Sequence, residues 1–188
     1  SDDKEIRKIL PIQISHMLPH LLEDLVYDYE ILERENGGYA KLIIYIVHKD
    51  VGDRYARLLE RSKVLPSKYV LSSQGVVEWS RLKKDRVGDA PILFLNLDLA
   101  DAEACFIHDG RLLFSRVING GVSVLHHDGL SSFVDQVEQS VRLYRKERFG
   151  EDVAGIFVIS AMEISELTAV LGERFHLPVE SFHHQDDI

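Results

Sequence analysis

Residues Pro91–Leu97 read Pro-Ile-Leu-Phe-Leu-Asn-Leu, and residues Gly155–Ser160 read Gly-Ile-Phe-Val-Ile-Ser. Both runs are short and almost wholly apolar, which predicts buried β-strands. The second run is apolar up to its last position, so we expect it to be covered on both faces, as strands in the middle of a parallel sheet are. These two strands form the centre of the fold that we predict for the second half of the chain.

Further apolar runs follow the first of these strands. Ala102–Ile107 and Leu112–Ile118 are separated by Asp109-Gly110, a pair typical of a hairpin turn, so the three runs predict an antiparallel meander. The remaining predicted elements are two amphipathic helices and a last strand, over Leu130–Arg148, Ile164–Phe175 and Leu177–Phe182. Strands that alternate with helices in this way predict an α/β layer architecture.

The first half of the chain predicts a separate α/β unit. Its predicted elements are a helix, a hairpin of two strands, a strongly amphipathic helix, a short strand and a further helix, over Leu10–Leu18, Tyr27–Ile31, Lys41–Val47, Asp50–Lys63, Tyr69–Leu71 and Gln74–Arg81. The polar stretch Lys83–Ala90 is the best candidate for a linker. We therefore predict two domains, residues 1–88 and 89–188.

Composition excludes several classes of protein. The 188 residues are 45% hydrophobic and 28% charged, which is typical of a globular chain. A formal net charge of -9 argues against nucleic-acid binding and against an anionic membrane surface, since both require a cationic face. Cys105 is the single cysteine, so no intrachain disulfide can form, and no apolar run is long enough to span a membrane. We expect a soluble cytoplasmic protein without direct membrane insertion.

Several motifs, in order along the chain, resemble the type IV pilus assembly protein PilM family. The stretches that carry the resemblance are Leu10–Leu18 with Pro19, Asp28–Leu32, Val51–Leu59, Asp109–Ile118 with Gly120-Gly121, Val137–Arg145, and Glu166–Glu180 with its Leu-Pro-Val-Glu end. The chain also resembles the cytoplasmic domain of the type II secretion L protein, which is a close second and shares the actin-like plan.

The resemblance implies an actin-like, ribonuclease H-like fold of two subdomains, incomplete because the segment with the first phosphate loop is missing. It also implies a non-catalytic scaffold at the cytoplasmic face of the bacterial inner membrane. The expected partners are the cytoplasmic tail of a PilN-like protein and other platform proteins, bound near the hairpin Tyr27–Val47 and the helix Asp50–Lys63. An actin-like ATPase of the same machinery and a homo-oligomeric domain, such as a homodimer, remain as alternatives.

The nucleotide site that this family implies is degenerate in the sequence. Where an Asp-Xaa-Gly turn is expected, the chain has Asn96 and Asp98, followed by Asp101 and Glu103, so the glycine is absent and carboxylates stand where phosphates would approach. One like-charge contact at ~4 Å, with an effective dielectric constant of ~20, costs about 4 kcal/mol.

A second loop of the implied nucleotide site also lacks the glycines that are expected there. The expected glycine-rich turn is replaced by Ser160 and Ala161, followed by two larger residues, Met162 and Glu163. We therefore predict that the chain is not an enzyme and needs no cofactor, and that ATP and magnesium bind only if the missing segment restores the site.

Other residues invite simpler interpretations. Asp98, Asp101 and Glu103 could bind a hard cation, but successive strand residues point to opposite faces, so an acidic solvated turn is favoured and no metal is predicted. The adjacent histidine pairs at 126–127 and 183–184 lack the spacing of zinc ligands. Cys105, within an apolar run, is predicted to be an inert buried thiol.

Overall fold

The computed structural model describes residues 3–34, 39–64, 66–125, 129–147 and 151–183. They form two compact units, Ser1–Leu71 and Ser72–Ile188. The elements in chain order are α1 (Asp3–Met17), β1 (Leu25–Arg34), β2 (Ala40–His48), α2 (Lys49–Arg61), α3 (Ser72–Leu82), α4 (Lys84–Val87), β3 (Ile92–Leu97), β4 (Asp101–His108), β5 (Arg111–Asn119), α5 (Val122–Leu125), α6 (Gly129–Lys146), β6 (Gly155–Ser160), α7 (Ser165–Phe175) and β7 (Val179–His183). The α/β class predicted from the sequence is confirmed.

The first unit is built on the antiparallel hairpin of β1 and β2. Helix α1 presents Ile6, Leu10 and Ile14, which are four residues apart and all buried. Four residues are about one helical turn, so these side chains form one apolar stripe. Leu10 and Ile14 form a small core with Leu25, and alternate residues of both strands pack against it. The hairpin and the helix therefore stabilise each other by burying one face of the sheet.

The second unit contains a five-stranded sheet in the order β5-β4-β3-β6-β7. The first three strands in the chain form the predicted antiparallel meander, while β6 is parallel to both β3 and β7. All six residues of β6 are buried, which confirms its predicted central position. The two apolar runs that form β3 and β6 are thus neighbours, with Leu95 of β3 opposite Val158 of β6.

Helices cover both faces of this sheet. On one face α6 and α7 bury the larger core, in which the ring of Tyr144 stacks on Phe106 with centroids 4.5 Å apart. The two helices are also joined by Arg174, which pairs with Asp135 and Glu138. Hydrogen bonds from Arg142 and Arg174 hold the pKa of Glu138 below its usual range. The unit is consequently a three-layer structure with α3 on the remaining face.

The first half of α6 contacts the edge strand β5 through the side chain of Gln136. The side-chain amide of Gln136 accepts a hydrogen bond from the backbone N–H of Asn119 and donates one to its carbonyl oxygen, each at 3.1 Å. Asn119 is the last residue of β5, the strand at one edge of the sheet. A glutamine side chain therefore takes the place of a neighbouring strand at this point.

The division between the units differs from the predicted one at residues 88 and 89. Helix α3 belongs to the second unit, because the indole of Trp79 makes edge-to-face contacts with the rings of Phe94 on β3 and Phe182 on β7, with centroids 5.8 Å and 4.6 Å apart. Arg81 of α3 also donates to the carbonyl oxygen of Gly110. The polar stretch Lys83–Ala90, predicted as a linker, instead contains α4 and leads from α3 into the sheet.

Two local predictions need correction. Tyr69–Leu71, predicted as a strand, has no regular structure, because no strand of either sheet pairs with it. The helix predicted over Leu10–Leu18 instead begins at Asp3, so that Pro11 lies inside α1. At this position proline removes one hydrogen-bond donor from the helix, and its ring crowds the carbonyl oxygen one turn earlier.

Candidate functional site

The predicted nucleotide-site residues lie at one end of the second unit's sheet. Leu97, the last residue of β3, is opposite Ser160, the last residue of β6, and the two strands are parallel. The turn that carries Asp98 and the loop that begins with Ala161 therefore leave the sheet at the same edge. In open α/β sheets the carboxyl ends of parallel strands are where ligands commonly bind.

The structure nevertheless divides these residues between the two faces of the sheet. Asn96 is directly opposite Glu103, and Asp101 lies on the same face of β4 as Glu103, two residues earlier. Ser160 lies opposite Leu97, on the other face. Ser160 is fully buried, and its hydroxyl oxygen accepts a hydrogen bond from the backbone N–H of Met162. The side chain of Ser160 is thus used to shape its own loop.

Glu103 contacts the beginning of α3. The hydroxyl of Ser72, the first residue of α3, donates a hydrogen bond of 2.6 Å to Oε2 of Glu103. A carboxylate at the N-terminus of a helix is stabilised by the helix dipole. Glu103 therefore has a structural partner that the sequence did not predict, because Ser72 falls within the first predicted domain, residues 1–88.

The turn after β3 is closed by the start of α5. The backbone N–H groups of Val122 and Ser123 donate to the carbonyl oxygens of Asp98 and Leu99, at 2.9 Å and 3.1 Å. The carboxylate of Asp98 accepts the backbone N–H of Leu99 at 2.7 Å. The first backbone N–H groups of α5 could otherwise have bound an anion. Here they donate to carbonyl oxygens of the turn after β3 instead.

Gly121 explains how the two segments come so close. A Cβ atom at this position would lie 2.1 Å from the carbonyl oxygen of Asp98, and 2.7 Å and 2.8 Å from the backbone oxygen and nitrogen of Asp101. Only glycine permits this approach. The Gly120-Gly121 pair, visible in the sequence as part of a family motif, thus packs against the Asp98 turn.

Metal chemistry finds little support in the described part of the chain. Within it, no group of three or more His, Cys, Asp or Glu side chains is placed to hold a metal ion. His126, His127 and His184, and the side chain of His183, lie outside the described residues. Cys105 is fully buried, and burial raises the pKa of its thiol far above the usual range, with the charge of Glu103 as a smaller cause.

A different kind of surface is present in the first unit, where the partner site was predicted. The residues of β2 are all half-buried, and α2 begins directly after this strand and contacts it. Helix α2 has no fully buried residue, and its half-buried positions are Gly52, Ala56 and Leu59. Val51, Tyr55 and Leu58, which the helical period places beside Leu59 on one face, are 40%, 56% and 60% exposed.

None of the described helices combines the length with the apolar character that crossing a bilayer requires.

Comparison with known proteins places this geometry in a fold family. No family model and no curated protein matches the sequence. Among solved structures, a PilM–PilN type IV pilus biogenesis complex matches with a TM-score of 0.76 over 95% of this chain, at 12% sequence identity. The chain has a PilM-like, actin-like fold. The fold that the sequence motifs predicted is thereby confirmed.

A second solved structure supports the actin-like fold. It is a Bacteroides thetaiotaomicron protein with an actin-like ATPase fold and unknown function, and it matches 93% of this chain with a TM-score of 0.55 at 15% identity. The chain spans 62% of the first of these neighbours and 60% of the second.

Proposed function

We propose that this protein is a non-catalytic cytoplasmic scaffold of a type IV pilus or type II secretion assembly platform. In this role it acts at the bacterial inner membrane and binds the cytoplasmic tail of a PilN-like membrane protein. The observation that carries the proposal is the match of 95% of the chain to a PilM–PilN complex with a TM-score of 0.76. Exposed apolar residues on α2, in the region predicted for partner binding, support it further.

Titration of the purified protein with the N-terminal cytoplasmic peptide of a PilN-like protein from the same genome tests the partner. We expect saturable binding with one peptide per protein chain, measured by isothermal titration calorimetry. A scrambled peptide of the same composition is the control, because it keeps the charge and loses the order of side chains. Equal heats from the two peptides, or none from either, would contradict the scaffold proposal.

The non-catalytic part of the proposal is supported by the closed turn. The N–H groups at the start of α5 are bonded to Asp98 and Leu99, and Gly121 leaves no space between the turn and α5. Asp101 and Glu103 add negative charge on one face beside the turn. A polyphosphate at this position would have to break those hydrogen bonds and approach carboxylates, both of which oppose binding.

Thermal denaturation with Mg-ATP tests this directly. We expect no change of the melting temperature and no release of phosphate, because the first donors of α5 are already bonded to the turn and Asp101 and Glu103 lie beside it. A ligand present at about 100 times its Kd would stabilise the folded state by about 2.7 kcal/mol, an effect that is easily detected. An actin-like ATPase with an intact Asp-Xaa-Gly turn serves as the positive control. A saturable rise of the melting temperature would favour the ATP-binding alternative instead.

A further inference from the structure

Helix α2 has an apolar surface wider than its half-buried face. Gly52, Ala56 and Leu59 occupy one stripe of the helix and are half-buried. Val51, Tyr55 and Leu58 form a second stripe beside it, with spacings of four and three residues, and all three are exposed. Seven residues of helix span about 10 Å, so the exposed stripe is long enough to contact two turns of another helix.

Three arginines line the free side of this stripe. Arg54, Arg57 and Arg61 follow the helical period on the side of Val51, Tyr55 and Leu58 that is remote from Leu59. All three arginines are exposed, and none forms an ion pair with a residue in the part of the chain that the structure describes. The stripe is therefore bordered by positive charge that the first unit does not neutralise.

Arg142, Arg145 and Arg174, on the second unit's helices, are used differently, because each pairs with a carboxylate. Helix α2 has three carboxylates of its own. Asp53 and Glu60 lie on the side of the helix away from the exposed stripe, and Asp50 lies at the start of the arginine row, one turn before Arg54. Oδ1 of Asp50 accepts the backbone N–H of Val51, and no ion pair joins these carboxylates to the three arginines in the described residues. The exposed guanidinium groups are therefore accessible to carboxylates of another molecule.

We propose that α2 is the docking surface for an amphipathic helix of a partner protein, whose apolar side is flanked by Asp or Glu. The apolar residues of the partner pack on Val51, Tyr55 and Leu58, and its carboxylates pair with the arginine row. Apolar contact at the centre with ion pairs at the rim is the ordinary composition of such an interface. The inference rests on the proposed scaffold function and specifies the surface and the chemistry of the partner. A net charge of -9 for the whole chain disfavours an anionic bilayer as the occupant.

Two synthetic helical peptides of equal length provide the probe. Both have leucine at helical spacing on one side, and they differ only in that Glu flanks this side in one and Lys in the other. We expect the full chain to bind the Glu peptide about tenfold or more tightly than the Lys peptide, by fluorescence anisotropy, because three exposed ion pairs of modest strength act together. Vesicles of neutral and of anionic lipid test the bilayer in the same buffer.

Variants on α2 identify the surface. The triple variant Arg54→Glu, Arg57→Glu, Arg61→Glu is expected to reverse the preference toward the Lys peptide, whereas Arg54→Lys, Arg57→Lys, Arg61→Lys is the charge-matched control and is expected to retain it. Tyr55→Ser with Leu58→Ser is expected to weaken binding of both peptides. Because all these side chains are exposed, the circular dichroism and the melting temperature of each variant are expected to stay unchanged.

The outcomes separate this proposal from the scaffold function. A preference for the Glu peptide that reverses with the charges supports the α2 surface. Equal affinity for the two peptides, no binding of either, or binding to anionic vesicles that the Glu variant abolishes overturns it. The PilN-like tail is titrated in parallel: tail binding without any Glu-peptide preference rejects only the α2 surface, and Glu-peptide binding without tail binding rejects only the proposed partner.

Discussion

Gly121→Ala is expected to lower the free energy of unfolding by about 3 kcal/mol or more, at the upper end of the range for overpacked substitutions. The new methyl group would overlap the carbonyl oxygen of Asp98 and backbone atoms of Asp101, and backbone atoms cannot rotate away as a side chain can. To admit it, the turn after β3 must separate from α5. That separation breaks the two hydrogen bonds that Val122 and Ser123 donate to the turn.

Urea denaturation followed by circular dichroism measures this loss, and Gly75→Ala is the matched control. Gly75 lies within α3, and a Cβ there would meet no atom within 4 Å. Alanine is a better helix former than glycine, so this control is expected to stabilise the protein by about 0.5–1 kcal/mol. If Gly121→Ala were as stable as the wild type, the described closure of the turn on α5 would be incorrect.

Phe94→Ala is expected to destabilise the protein by about 3–5 kcal/mol, as is usual for removing a buried aromatic side chain. Phe94 is fully buried at the centre of the sheet. Its ring stacks on Phe157 of the neighbouring strand and meets the edge of Trp79 on α3, with centroids 5.3 Å and 5.8 Å apart. Its removal therefore leaves a cavity between the sheet and α3.

The sequence contains one tryptophan, so the fluorescence of Trp79 reports on that cavity directly. We expect its emission to shift to longer wavelength in Phe94→Ala, together with a lower denaturation midpoint, because α3 loses part of its contact with the sheet. Val117→Ala is the control, since Val117 lies in the same sheet but is largely exposed, and a change within about 0.5 kcal/mol is expected there. An unchanged emission spectrum in Phe94→Ala would argue that α3 does not pack on this face.

The central sheet could be predicted because its strands are apolar runs bounded by turn residues. Pro91 and Asp109-Gly110 mark the ends of strands in the sequence, and the uninterrupted apolar character of Gly155–Ile159 indicated a strand covered on both faces. These are local signals. They correctly gave the meander and the parallel partner of β3.

The features that could not be predicted depend on contacts between distant parts of the chain. The domain boundary was misplaced because the attachment of α3 depends on Trp79 meeting Phe94 and Phe182. The apolar run Tyr69–Leu71 resembles a strand locally but has no partner. On α2, the period identified an amphipathic helix but could not distinguish the half-buried stripe from the exposed one beside it.

The sequence placed the candidate residues at strand ends, but it could not predict the geometry that surrounds them. Asn96, Asp98, Asp101, Glu103, Ser160 and Ala161 do lie at or near one end of β3, β4 and β6. What the sequence could not reveal is that Val122 and Ser123 close the Asp98 turn, since the residues concerned are more than twenty positions apart. The glycine pair before α5 was the one signal of this contact in the sequence. It could be interpreted only once the close approach of Gly121 to the Asp98 turn was known.

The contact of Gln136 with Asn119 has a consequence for self-association. An edge strand ordinarily offers its backbone to any extended chain nearby, which is a common route to aggregation. Here both polar backbone groups of Asn119 are occupied by one side chain, so an incoming strand cannot pair with this residue without displacing the amide of Gln136. Addition of a strand at this end of β5 is consequently opposed by a single amide group.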